Sequence, residues 1–180
     1  MKTNPERHIV AALDDAMKAR GWPAIELHGL PICYARNIAV TPYFRCSSLE
    51  PKAQGEYAID GAFGIIHQEF EVALMKNRFR QPLEPGFAVI LNLLNLPGLC
   101  KKRFIASESV LEKDVADFAT AAATVLDGMP QTESDLKAAI EKDVLCGLEW
   151  NAFSGYSHRS KFRVLQEFLA TRKTDPAAQP

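Results

Sequence analysis

Large apolar residues alternate with small or polar residues in the first part of the stretch 57–75, around which the chain is organised. The larger apolar members are Tyr57, Ile59, Phe63 and Ile65. A two-residue period places such side chains on one face of a β-strand. The opposite face carries Ala58, Asp60, Ala62 and Gly64. The stretch therefore predicts a central strand with one face directed towards a core.

The continuation of this strand fits two patterns. Apolar residues at positions 66, 70, 73 and 74 have the spacing of a helix, whereas positions 68, 70, 72 and 74 have the spacing of a strand. We expect the strand to continue, and the choice between strand and helix over residues 67–75 stays open at this point.

The rest of the first half predicts further extended segments. β-branched and aromatic residues between Ile32 and Cys46 suggest a first strand, and Pro42 within it favours an edge strand or a bulge. Residues 47–56 are rich in turn formers and predict a loop. The apolar run from Phe87 to Leu94 predicts another strand.

Helical periodicity dominates the chain's beginning and its second half. The first helix is predicted to start at Asn4-Pro5 and to stop at Gly21. Ser109, Thr132 and Ser157 are the predicted caps of three later helices. The apolar stripes of the four helices are, in order, Ile9, Val10, Leu13 and Met17; Leu111, Val115, Phe118, Ala122, Val125 and Leu126; Leu136, Ala139, Ile140 and Val144; Phe162, Leu165, Phe168 and Leu169.

Strands in the first half and helices in the second indicate an α+β fold. We expect a mostly antiparallel three- to five-stranded sheet with helices packed on one face. Hydrophobic residues make up 47% of the 180 residues, which is enough for one core. The chain is accordingly predicted to form a single domain over residues 1–173, followed by a disordered tail over residues 174–180.

Charge and hydropathy narrow the range of functions. The formal net charge of -1 offers no global attraction for nucleic acid, so nucleic-acid binding is not expected, although residues 76–103 are locally basic and residues 106–145 locally acidic. The longest apolar segment, 87–99, contains two asparagines and is shorter than the roughly 20 residues of a membrane helix. The start of the chain lacks a secretory pattern. We therefore expect a soluble, cytoplasmic protein.

A histidine beside two carboxylates is the strongest candidate for chemistry. On a continued strand, His67, Glu69 and Glu71 would project to one face, and on a helix His67 and Glu71 would still be neighbours. Such a set could ligate a divalent metal or form an acid-base pair. A solvated strand face explains the same residues, and we favour that interpretation.

Motifs of known catalytic classes are missing from the sequence. His67-Gln68-Glu69 matches the first half of the zinc deaminase signature, but the second half is absent because only Cys100 follows Pro97 at the relevant place. No nucleophile elbow, P-loop, Rossmann glycine pattern or H-E-x-x-H occurs. No metal site and no cofactor are predicted.

Two further places could bind or react. Aromatic and basic residues around a predicted helix start could form a ligand pocket, and the candidate residues are Trp150, Tyr156, Ser157, His158 and Arg159. Cysteine catalysis would need Cys33 with His28 or Cys146 with His158. Both cysteines lie among apolar residues, so buried packing is the preferred interpretation.

The sequence favours a non-enzymatic interaction or regulatory protein that binds a protein partner or a small ligand. The acidic helices or the aromatic segment 150–162 would provide the surface. The alternative is a metal-assisted hydrolase or acid-base enzyme that uses His67, Glu69 and Glu71, with His158 as a further candidate. The oligomeric state is not predicted.

Overall fold

The structure is a computed structural model of the α+β class that the sequence predicts. It describes residues 5–27, 30–36, 39–52, 55–67, 69–70, 87–92, 103–105, 108–142, 144–145, 148–149 and 165–172. No helix within these residues is long and apolar enough to cross a membrane. The predicted terminal tail, residues 174–180, lies outside the described residues.

The described part of the main sheet has six antiparallel strands. They are β1 (Ala24–Leu27), β2 (Leu30–Ala35), β3 (Val40–Pro51), β4 (Glu56–His67), β5 (Phe87–Asn92) and β6 (Arg103–Ile105). Strands β1 to β5 are neighbours in chain order, and β6 pairs with the first part of β4 while β5 pairs with its last part. The sheet is therefore five strands across, which agrees with the predicted three to five. Strands β7 (Val144–Leu145) and β8 (Leu148–Glu149) form a separate pair.

Helix α1 (Pro5–Ala19) begins and ends where the sequence predicts. Of its predicted stripe, Ile9, Leu13 and Met17 are buried, and Val10 is half-buried. Gly21 has a φ of 78°, and the N–H groups of Gly21 and Trp22 donate to the carbonyl oxygens of Lys18 and Met17, respectively. These two bonds form a Schellman motif, which needs a left-handed residue that glycine adopts without strain.

The later helices are α2 (Glu108–Asp127), α3 (Glu133–Glu141) and α4, residues 165–171. The predicted α2 stripe is confirmed, since Val125 is half-buried and its other members are buried. Thr132 caps α3 as predicted, because its hydroxyl oxygen accepts from the N–H of Asp135 at 3.1 Å. Two boundaries were wrong: Ser109 lies inside α2 instead of capping it, and Val144 belongs to β7 instead of α3.

The helices pack on one face of the sheet, as expected. Phe44 of β3 lies at the centre of this core, with its ring 4.8 Å from Phe63 of β4 and 5.6 Å from Phe118 of α2. All four helices contribute to the same buried cluster: Ile9, Leu13 and Met17 from α1, the stripe of α2, Leu136 from α3, and Leu165 and Leu169 from α4. A smaller buried cluster on the opposite face contains Cys33, Ala35, Tyr43 and Ile66.

The predicted alternation along β4 is confirmed, but three expectations for the neighbouring chain were wrong. The supposed single strand from Ile32 to Cys46 is a β2–β3 hairpin preceded by β1. Strand β3 lies in the interior of the sheet, and it tolerates Pro42 because β2 pairs with it only as far as Tyr43. Residues 47–51, predicted as loop, continue β3 because a bulge after Cys46 restores pairing with β4 through Pro51.

Candidate functional site

His67, the strongest sequence candidate, is the last residue of β4. It pairs with Val40 and shares the helix-facing side of the sheet with Phe63 and Ile65. Its residue exposure is 1%. The interpretation of position 67 as part of a solvated strand face was therefore wrong, because the ring points into the core.

The strand ends at His67 because the imidazole caps a helical turn. The backbone N–H of Phe70 donates to Nδ1 of His67 at 3.3 Å, and residues 69–70 are helical. A side chain that accepts the N–H three residues ahead acts as a helix N-cap, a role that serine or asparagine usually fills. The expectation of a continued strand was thus wrong for residues 69–70, while residues 71–75 lie outside the described residues.

The second ring nitrogen contacts a carboxylate from a distant helix. Nε2 of His67 lies 2.9 Å from Oε1 of Glu133, the first residue of α3. Since Nδ1 accepts the Phe70 N–H, a neutral ring must carry its proton on Nε2 and donate it to Glu133. The carboxylate at the start of α3 is also favoured by the positive end of the helix dipole.

Arg172, just after α4, connects this pair to Glu69. Its Nε donates to the same Oε1 of Glu133 at 3.0 Å, and its Nη1 donates to Oε2 of Glu69. The guanidinium carbon also lies 5.2 Å from the ring centre of Phe168. We call His67, Glu69, Glu133 and Arg172 the His67 cluster.

Charge pairing dominates the electrostatics of the cluster. The hydrogen bond from Arg172 lowers the pKa of the Glu69 carboxyl below its usual value of 4.5. The same bond raises the pKa of the Arg172 guanidinium. Both groups are therefore charged near neutral pH, and the guanidinium of Arg172 lies between the carboxylates of Glu69 and Glu133.

Two phenylalanine rings pack beside the imidazole of the His67 cluster. The Phe168 ring meets the imidazole edge-on with centroids 5.2 Å apart, and it lies 5.4 Å from the ring of Phe70. Lys137 of α3 donates from Nζ to the backbone oxygen of Arg172 at 3.1 Å. Strand β4, helix α3 and helix α4 are thus fastened together around one imidazole.

This arrangement is poorly suited to acid-base catalysis. Both ring nitrogens of His67 have protein partners, and the ring is buried, so neither nitrogen is presented to a substrate. The Glu133 carboxylate is engaged by two donors. Within the described residues, no three His, Cys, Asp or Glu side chains are arranged so that together they could hold a metal ion.

The structure brings together two of the three predicted catalytic candidates, His67 and Glu69, through Glu133 and Arg172. The third, Glu71, lies outside the described residues, and so do the predicted ligand-binding candidates Trp150, Tyr156, Ser157, His158 and Arg159. Sequence reasoning missed Glu133 and Arg172. The acidic first turn after the Thr132 cap was visible in the sequence, but nothing in it indicated that α3 would lie against the end of β4.

The buried thiols have packing roles. Cys33 and Cys46 are buried thiols, which confirms the packing interpretation of Cys33. Burial raises the pKa of the Cys33 thiol to about 11, against a smaller opposing effect of the nearby Arg45 charge. A thiol with so high a pKa is protonated near neutral pH and is a poor nucleophile. The remaining members of the proposed cysteine-histidine pairs, His28, Cys146 and His158, lie outside the described residues.

Comparison with protein-family models, curated proteins and solved structures found no match to this chain.

Proposed function

We propose that this chain is a non-enzymatic interaction or regulatory protein that binds a protein partner with a basic surface. The observation that carries the proposal is the position of His67, whose nitrogens are held by Phe70 and Glu133 inside the core. A residue so placed fastens elements of the fold together. These contacts support a structural role for His67, the strongest catalytic candidate in the sequence, over a catalytic one.

The acidic helices supply the proposed binding surface. The sequence of α2 contains five acidic residues and one lysine. Glu112 and Asp117 on α2 are exposed, as are Asp135 and Glu141 on α3. Charges on such a surface accelerate the association of a partner of opposite sign and help to select it.

The rival function, a metal-assisted hydrolase or acid-base enzyme, requires His67 to be available. Thermal unfolding with added zinc or manganese tests this requirement. We expect that neither metal raises the Tm of the wild type more than it raises the Tm of His67→Asn. His8→Asn, at an exposed position on α1, is the matched histidine control. A metal-dependent rise that is lost only in His67→Asn would overturn the non-enzymatic proposal.

Binding of a fluorescent peptide of alternating lysine and glycine tests the acidic surface directly. The double variant Glu112→Gln, Asp117→Asn should weaken binding by about 2- to 30-fold, since each exposed charge contributes about 0.2–1 kcal/mol. The matched control is Asp15→Asn, Glu26→Gln, which removes the same charge from exposed positions on α1 and β1. Equal loss in both variants would mean that only net charge matters, which contradicts a surface on α2.

A further inference from the structure

The two ring nitrogens of His67 have opposite hydrogen-bonding roles, and one of these roles requires a neutral ring. Nδ1 accepts the backbone N–H of Phe70 at 3.3 Å, and Nε2 faces Oε1 of Glu133 at 2.9 Å. A protonated imidazole carries a hydrogen on both nitrogens and can accept at neither. Protonation therefore strengthens the Glu133 contact, which becomes a charge-assisted bond, but brings two donors together at Phe70.

We propose that His67 is a pH-sensitive switch, whose protonation in mild acid releases the helical turn at residues 69–70 and keeps the contact between β4 and α3. Histidine is the side chain that ordinarily changes its charge between about pH 5 and 8. Phe70 is fully buried and packs 5.4 Å from the ring of Phe168, so loss of the cap also loosens an aromatic contact of the core. The switch goes beyond the proposed function and does not depend on the acidic surface of α2.

Charged side chains of the neighbouring described elements act on the imidazole in opposite directions. Glu133 of α3 contacts Nε2, and Glu69 is close enough for a charged imidazole to act on its carboxyl, so both favour protonation. Arg172, after α4, opposes protonation because its Nε binds the same Oε1 of Glu133 at 3.0 Å. Lys137 of α3 adds a second cation, since its Nζ donates to the backbone oxygen of Arg172. The carboxylates make the charged ring attainable, whereas the cations and burial favour the neutral ring.

NMR of the full chain between about pH 7.5 and about pH 5 tests the switch. The imidazole nitrogen resonances report the protonation of His67, and the hydrogen-exchange protection factor of the Phe70 amide, which corrects for the intrinsic effect of pH on exchange, reports the cap. As His67 becomes protonated, Phe70 protection should fall about 2- to 30-fold, the effect of losing an N-cap bond. The amide of Phe63, which pairs with strands on both sides, should keep its protection because the sheet stays intact.

Substitutions in the His67 cluster distinguish a switch from a purely structural role. In His67→Asn, the cap is kept but cannot be protonated, so Phe70 protection should become independent of pH. Glu133→Gln should move the midpoint of the Phe70 change to lower pH, because the charged imidazole loses its carboxylate partner. Arg172→Gln should move this midpoint to higher pH, because a competing cation is removed. His8→Asn, at an exposed position on α1, is the matched control and should leave the midpoint unchanged.

The switch is overturned if the His67 ring stays neutral down to about pH 5, or if it becomes protonated without loss of Phe70 protection. A pH-dependent change at Phe70 that persists in His67→Asn would overturn it as well. If His67→Asn fails to fold, Glu133→Gln and Arg172→Gln decide, and midpoints that do not move in opposite directions refute the switch. The lysine-glycine peptide is measured at about pH 7.5, where the turn is capped, so failures of the two proposals are distinguishable.

Discussion

Nε2 of His67 and Oε1 of Glu133 lie 2.9 Å apart although the residues are separated by 66 positions in the sequence. The contact joins the end of β4 to the first turn of α3 and, through Arg172, to the end of α4. Because the imidazole also caps the turn that begins after β4, one side chain stabilises both local and long-range structure. The consequences can be measured as stability changes.

Replacement of His67 should destabilise the fold because the imidazole bonds to both Phe70 and Glu133. His67→Ala removes these two hydrogen bonds and the ring contact with Phe168, and we expect the free energy of unfolding to fall by about 2–4 kcal/mol. His67→Asn should be roughly half as destabilising, because asparagine can still accept the Phe70 N–H. Urea unfolding provides the measurement.

The exposed His8 on α1 provides the control for this series. His8→Ala should change the free energy of unfolding by less than about 0.5 kcal/mol, as is usual for surface substitutions. If His67→Ala were as mild as His8→Ala, the structural role of the imidazole would be refuted.

The ion pair between Glu133 and Arg172 should be measurable in a double-mutant cycle. Their side chains are 26% and 31% exposed, so the pair is only partly screened by solvent. With Glu133→Ala and Arg172→Ala, we expect a coupling energy of about 0.5–1 kcal/mol. The more exposed pair of Glu50 and Lys52, treated identically, should show coupling within experimental error.

Low pH should remove the contribution of Glu69. Its folded-state pKa is depressed by the Arg172 hydrogen bond, so its stabilising effect is present above its usual pKa of 4.5 and is lost as the pH falls through the folded-state pKa. Wild type should therefore be slightly more stable than Glu69→Gln at pH 6, and the difference should be smaller at about pH 3. The effect is small because the Glu69 side chain is 67% exposed.

Urea unfolding of both proteins across this pH range tests the expectation. The same comparison in an Arg172→Gln background should show no difference at either pH, since the donor is gone. A Glu69→Gln effect that persists without Arg172 would indicate another source for the stabilisation.

Gly64 should not tolerate a side chain. It lies directly opposite Tyr43 across β3 and β4, and a Cβ at this position would overlap the buried tyrosine ring. We expect Gly64→Ala to lower the free energy of unfolding by about 3 kcal/mol through overpacking. Thermal or urea unfolding measures this loss.

Two comparisons separate overpacking from other effects of glycine replacement. Gly55→Ala should lower the free energy of unfolding by only about 1–2 kcal/mol, the cost of a positive φ for a residue with a side chain. Gly55 has a φ of 76°, and no atom lies within 4 Å of the added Cβ, so overpacking does not contribute. In a Tyr43→Ala background, Gly64→Ala should be much milder because the obstructing ring is absent. Equal costs in the two backgrounds would exclude the Tyr43 contact as the cause.

The sequence predicted elements well where a local signal specified the backbone. The four-residue spacing of Ile9, Leu13 and Met17, the glycine at position 21 and the Thr132 cap each act within a few residues. The alternation along residues 57–65 likewise needed no knowledge of the rest of the chain. These local features are sufficient to predict the α+β class without any information on contacts between elements.

Long-range contacts decided the elements that the sequence misassigned. Residues 47–51 have the composition of a loop, but β4 supplies partners as far as Pro51 and makes them a strand. Position 67 fitted a continued strand, but the Phe70 N–H found an acceptor in the imidazole and the chain turned. Buried backbone N–H and C=O groups need hydrogen-bond partners, and the packing of the elements determines which partners lie within reach.

The candidate site shows the same division between sequence and tertiary structure. By itself, the sequence determined that His67 and Glu69 would be close together, since two residues cannot separate far along the chain. Only the tertiary structure buried the imidazole and placed Glu133 and Arg172 against it, because α3 and α4 reach the end of β4 through the packing of their apolar stripes. Residue types limit the chemistry that is available, whereas the packed fold decides which nitrogen atoms remain free to perform it.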